Sequence, residues 1–217
     1  MELLSNLSSA ILGVRMDFEP VETFELIGGR VCLDFANTVG DALKGSNDKL
    51  SSYADLLVFA RRVGLIDEAA EPALAEEARR RPHDAERVLA EAKIARRAIF
   101  SLFFPEPDRA NQALVILDRA VARARSHQHL VPTQDGHALV LESDDAALDR
   151  PLWGIALSAA ELLVAPDRER VHACGNDATC TWLFVDDSKN HSRRWCSMRD
   201  CGNRVKAKRH YRKKRSA

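Results

Sequence analysis

No apolar run in this 217-residue chain approaches the ~18 residues a helix needs to cross a membrane. The first stretch, Leu3 to Val14, is mildly apolar. It lacks the basic start and the small-residue cleavage site of a secretory signal, and Met16, just before Asp17, is a second candidate start beside Met1. Phosphate loops are missing too: Gly28-Gly29 is followed neither by Gly-Lys-Ser/Thr nor by a GxGxxG pattern. There is no nucleophile elbow and no HExxH. Paired acids such as Glu76-Glu77 and Asp144-Asp145 are sequence neighbours, which reads as solvated surface, not as a general acid and base. With no catalytic constellation, the expectation is that the chain is not an enzyme. Cysteine is nearly absent from the first 170 residues, where Cys32 stands alone in an apolar stretch.

What is present is concentrated at the other end. The formal net charge is zero. Yet residues 171–217 hold twelve Lys/Arg against four Asp/Glu, leaving twenty against twenty-eight before them. Such asymmetry marks a basic arm that meets a polyanion, or an acidic body that attracts its own tail. The other four cysteines lie in the same stretch, as Cys174-x5-Cys180-x15-Cys196-x4-Cys201. Without a secretory signal the expected compartment is the reducing cytoplasm, at the nucleoid, where disulfides do not persist. Clustered cysteines there point to a metal. Zinc in a structural role favours four thiolates in a closed tetrahedron, which leaves no open position for a catalytic water. The predicted ligands of one structural Zn2+ are Cys174, Cys180, Cys196 and Cys201, with His172 as a spare.

Between the cysteine pairs, Trp182 to Val185 reads as a strand, Asp186 to Asn190 as a turn, and Arg193 to Trp195 as a returning strand. A hairpin of these two strands would join the pairs over a core of Trp182, Phe184 and Trp195. So small a unit needs metal to be stable. From Gly202 to Arg215 there are eight Lys/Arg and no acid. A helix here would start at the metal. Its like-charge pairs Arg204–Lys208, Lys208–Arg212 and Arg209–Lys213 each cost roughly 0.2–0.5 kcal/mol until phosphate neutralises them. The candidate nucleic-acid contacts are Arg193, Arg194, Arg199, Arg204, Lys206, Lys208, Arg209, Arg212 and Lys213. A solvated, frayed basic tail is the plainer alternative for the last of them.

The first 170 residues read as a helical body. Gly28-Gly29 divides two short apolar segments, fitting either a hairpin or a strand leading into a helix; Asp34 and Asn37 follow one helical turn apart, in capping or pocket-lining positions. Ser51 or Ser52 caps a helix with Tyr53, Leu56, Leu57, Ala60 and Val63 inside and Gly64 as its stop. Pro72 and Pro82 suit the first turns of two more. The second of these buries Val88, Ala92, Ala95, Ile99, Leu102 and Phe103 and ends before Pro105. A fourth, from near Pro107, turns Leu114, Leu117, Val121 and Ala124 inward. Leu130-Val131 and Leu139 to Leu141 flank a Gln-Asp-Gly turn as a small hairpin, with His127, His129 and His137 as surface histidines. A last helix starts at Asp149-Pro151 and ends at Pro166, and Ala165 to Arg170 reads as a polar linker.

The string Arg193-Arg194-Trp195-Cys196-Ser197-Met198, then Cys201-Gly202-Asn203-Arg204 and Lys206, resembles the CGNR zinc finger of bacteria. Trp182-Leu183-Phe184 and Asp187-Ser188 fit the same pattern. Gly28-Gly29 followed by Cys32-Leu33-Asp34-Phe35-Ala36-Asn37-Thr38 is similar to the ABATE domain that precedes this finger. The resemblance implies a stress-induced bacterial transcription regulator with a DNA-binding finger and a sensing body. The expected fold is mainly α: a helical regulatory domain over 1–168 with a small β-hairpin, then a zinc-bound, treble-clef-like hairpin and helix over 169–217. The expected partners are double-stranded DNA, a second copy of the chain, since one short helix reads few bases, and a small-molecule effector of the body. Two other readings stay open. One is RNA binding through Trp182, Trp195 and Tyr211. The other is a small-molecule binder whose finger is only structural.

Overall fold

The computed structural model describes residues 24–41, 43, 46–104, 110–142, 144–176 and 179–215. Met1, Met16, Leu3 to Val14, Pro105 and Pro107 lie outside them.

The chain enters through an extended segment from Phe24, turns at Gly28-Gly29 and winds into the short helix α1, Val31–Ala36. Of the two sequence readings, entry into a helix is the one formed, though the segment before it is not a paired strand. Cys32, Leu33, Phe35 and Ala36 put nearly all of α1 inside the core. A small antiparallel ladder follows, β1 Val39–Asp41 with β2 Ser46–Asp48.

Five longer helices follow and complete the body. Helix α2, Tyr53–Arg62, begins in a capping box: the Ser52 hydroxyl accepts from the Asp55 N–H, and the Asp55 carboxylate accepts from the Ser52 N–H. Leu56, Leu57, Phe59 and Ala60 supply its buried face. Helices α3, Ala70–Arg80, and α4, Pro82–Phe103, carry prolines in their first turns. The inner face of α4 differs from the periodic reading. Ala95, Leu102 and Phe103 are only half-buried, and a buried arginine, Arg96, lies among Ala92, Ile99 and Phe100. It is accommodated because its guanidinium makes paired 2.7 Å bonds to Asp48 and another of 2.9 Å to Thr38.

Helix α5, Ala110–Ser126, turns Ala113, Leu117, Val121 and Ala124 inward. That stripe leaves Leu114 roughly 100° off axis, and it is half-exposed, contrary to the sequence expectation. The hairpin β3, Gln128–Thr133, with β4, Gly136–Leu141, forms as expected, Leu130 opposite Leu139. His127 is not a free surface histidine: its ring stacks on buried Trp153 at 3.8 Å, and it shares Glu142 with His129. Helix α6, Arg150–Val164, closes the body with Trp153, Ile155, Ala156, Ala159 and Leu162.

The segment expected to be a linker is wound. Pro166–Arg170 forms a 3-10 turn, and two of its four charged side chains are engaged: Asp167 pairs with Arg30, and Arg170 donates to the Asp186 carbonyl at 2.7 and 3.0 Å. It delivers the chain to β5, Val171–Ala173, which pairs antiparallel with β6, Leu183–Val185. This corrects the expected hairpin. Strand β6 pairs backward with β5, and residues 193–195 form no strand. The loop between β5 and β6 then carries the first cysteine pair. Leu183 and Val185 pack into the body's core, while Phe184 points the other way, onto the cysteines.

Candidate metal centre and basic helix

Cys174 directly follows β5 and Cys180 ends the loop that returns to β6. That loop is tied by the Cys180 N–H to the Asn176 carbonyl at 3.0 Å and the Cys174 N–H to the Trp182 carbonyl at 2.8 Å. Gly175 has a steric reason: a Cβ there would stand 2.8 Å from the Arg194 carbonyl oxygen, which its own N–H reaches at 2.7 Å. The second pair arrives through a loop organised by Asp186, fully buried, whose carboxylate accepts from the Ser188 and Arg193 N–H groups at 2.9 Å each. Cys196 ends this loop. Cys201 sits in the π-helical turn Met198–Gly202, which runs directly into α7, Asn203–Arg215.

The four sulfurs all lie within 4.8 Å of one another and all four cysteines are buried. The Cys180–Cys196 separation is 3.7 Å. A tetrahedron with Zn–S bonds of about 2.3 Å has S···S edges of about 3.8 Å, so the donor set fits one zinc ion. Charge leads to the same conclusion. Without a cation, hydrogen bonds from Cys180 and Cys196 let Cys174 carry the charge, lowering its pKa to about 2. The same crowding pushes Cys180 up to about 12 and raises Cys196 as well. A divalent ion would let all four sulfurs carry charge at this spacing. Peptide and amide N–H groups point at the sulfurs: Cys196 N–H to Cys174 at 3.4 Å, Asn176 Nδ2 to Cys201 at 3.5 Å. His172 is exposed, opposite Phe184 on the ladder, and outside the cluster. When bound, zinc would supply a cross-link between the β5–β6 loop and the start of α7.

Arg193 is placed differently from the sequence expectation. Its guanidinium lies 4.2 Å from the centre of the Phe184 ring and donates to the carbonyls of Cys196 at 2.6 Å, Ile27 at 3.1 Å and Trp195 at 3.2 Å. It braces the module instead of joining its outer surface. The other candidate contacts whose side chains are described are exposed. Arg194 lies over the Trp195 ring at 5.5 Å, and Arg199 is exposed. Arg204 is exposed but held by Asp200 at 2.7 Å, one turn back. Beyond half-buried Val205, the side chains of Lys206, Lys208, Arg209 and Arg212 are exposed, as is Tyr211; that of Lys213 lies outside the described residues. Helix α7 projects from the π-helical turn.

Sequence reasoning missed the residues that join module to body. The Asn37 amide, on the body, donates to the Leu183 carbonyl and accepts from its N–H, both at 2.8 Å, as a strand would. Trp182 Nε1 donates to the Val39 carbonyl at 2.9 Å, and the Val185 N–H reaches the Gly28 carbonyl at 2.9 Å. The one sequence signal was the Asp34/Asn37 spacing after the glycines, which names no partner.

A helical body carrying a four-cysteine module that ends in a basic helix defines a zinc-finger protein of two parts. Residues 170–214 match the CGNR zinc finger, and residues 29–166 match ABATE, described as "Putative stress-induced transcription regulator". The chain belongs to the ABATE family, with a CGNR zinc finger following the ABATE region. The comparison with curated proteins returned no match. Among the described residues no helix is long and apolar enough to cross a membrane.

Proposed function

We propose that the protein is a transcription regulator that binds double-stranded DNA through its zinc module, as a homodimer, with the body as the sensing part. The observation that carries this reading is α7. Along thirteen residues it has no acid and many basic side chains, and it starts at a metal ligand, so its direction is fixed by the cluster. A projecting helix about 20 Å long and about 10–12 Å across fits into a major groove about 12 Å wide. Lys206, Lys208, Arg209 and Arg212 then serve phosphates, and Arg204, Arg194 and Arg199 lie closest to the metal-anchored end. Duplex DNA is favoured over unpaired RNA because two of the three candidate stacking rings are engaged: Trp182 is hydrogen-bonded to the body and Trp195 packs on the cysteines.

The test is selection of zinc-loaded protein on random duplex fragments at near-physiological salt, followed by sequencing. A shared, two-fold symmetric motif, weakened by Arg204→Ala, is the expected result. Binding without a motif that collapses as salt rises reduces the reading to a phosphate-directed binder. Preference for single-stranded RNA over duplex overturns it.

A further inference from the structure

The body contains an open groove that neither the metal site nor α7 uses. It holds about 480 Å3 and lies between the Gly29–Asp34 segment and α6. That is the size of a small-ligand cleft. Leu65 and Leu157 give it apolar walls, and Asp34, Ser158 and Glu161 give it polar points. Its charges do not cancel. Arg30, the cation on its lining, is committed to Asp167 and to the Gly29 carbonyl. Glu161 is exposed and has no ion-pair partner among the described residues. Asp34 is buried, its carboxyl raised above the ordinary value by burial and only partly relieved by the N–H groups of Gly28 and Ile27.

We propose that this groove binds a small organic cation with a compact apolar skeleton, a primary amine being the simplest case. Its charged head is drawn to Glu161 and Asp34, and its carbons lie against Leu65 and Leu157. The site also has a route to the zinc module. Asp34 holds the Gly28 N–H at 2.7 Å. The carbonyls of that same turn hold the module: Gly28 receives Val185, and Ile27 receives Arg193. The turn passes so close to α1 that only glycine fits: a Cβ on Gly28 would stand 2.8 Å from the Leu33 Cβ and 2.9 Å from the Asp34 nitrogen. Occupancy of the groove thus acts on the segment where the module is docked.

This inference rests on the body being the sensing part, and it is tested without DNA so that the two readings fail separately. Full-length, zinc-loaded protein is titrated with cyclohexylamine and followed by two-dimensional amide NMR. Cyclohexanol and cyclohexanecarboxylate serve as neutral and anionic controls at matched ionic strength. The amine is expected to shift the amides of Arg30, Gly154 and Ser158 saturably, with the Val185 amide moving at the same midpoint. Glu161→Gln, at an exposed site that does not threaten folding, is expected to weaken the amine about tenfold, the worth of one charge-assisted contact. Leu157→Trp, which fills the groove, is expected to abolish it. The proposal is overturned if the amine shifts none of these amides, if the alcohol acts at the same midpoint, or if Glu161→Gln changes nothing. Groove shifts without a Val185 response overturn the coupling to the module.

Discussion

Asn37 spends both ends of its amide on Leu183, 146 positions away. Asn37→Ala would leave a buried peptide N–H and carbonyl unpaired, at about 2–3 kcal/mol; urea unfolding of the zinc-loaded protein measures it, and a loss under ~0.5 kcal/mol would show that water or a rearranged side chain replaces the amide. A second buried polar residue makes a pH-dependent prediction. Burial alone would raise the Asp48 carboxyl, but the paired bonds from Arg96, the Leu50 N–H and the charges of Arg96 and Lys93 outweigh it and hold the group below its ordinary value. Its contribution is therefore complete above the ordinary carboxylate range and is lost as pH falls through the lower folded value. The stability gap between the protein and Asp48→Asn is expected to narrow as pH drops from about 4 towards 2. A gap that stays constant would show that Asp48 gains nothing from its charge. The partners of such residues were invisible in the sequence because nothing local names them. Arg96 interrupts an apolar stripe at a position indistinguishable from a surface arginine, and its partner is 48 positions away.

Elements with their own signals were legible. Helices α2 and α4 follow from apolar spacing, a serine cap and an N-terminal proline, all contained in a dozen neighbouring residues. Ser52→Ala is expected to cost about 1 kcal/mol by removing one half of the capping box, read from thermal unfolding with the metal bound. The four cysteines were equally legible as ligands, because their chemistry is written in residue type. What failed was pairing. Strands β5 and β6 have three residues each, too short to show alternation. The apolar run Trp182 to Val185 therefore offered no way to choose between Val171–Ala173 and residues 193–195. Helix α7 carries repulsion between basic side chains one turn apart and little packing beyond Val205. Its amides from Lys206 onward are expected to exchange rapidly in the free protein and to gain protection with duplex DNA, an effect that fades as salt rises. Full protection without DNA would mean the helix has another source of stability.

For the molecule as a whole, the division into body and finger holds for chemistry better than for packing. Leu183 and Val185 belong to the same apolar cluster as Leu33, Phe59 and Trp153, while Phe184 between them covers the sulfurs. Removing zinc with a chelator is thus expected to lower the melting temperature of the whole chain in one transition. A body transition that does not move would show two independent units. The same alternation limits how this finger can travel. Spliced onto a different body, residues 170–214 would bring their four sulfurs but would leave Leu183 and Val185 wet and Leu183 without the Asn37 amide. The finger is exchangeable only together with a surface that matches Asn37, the Gly28 carbonyl and the floor beneath β6. Recombination in this architecture therefore has to trade the two parts as a matched pair.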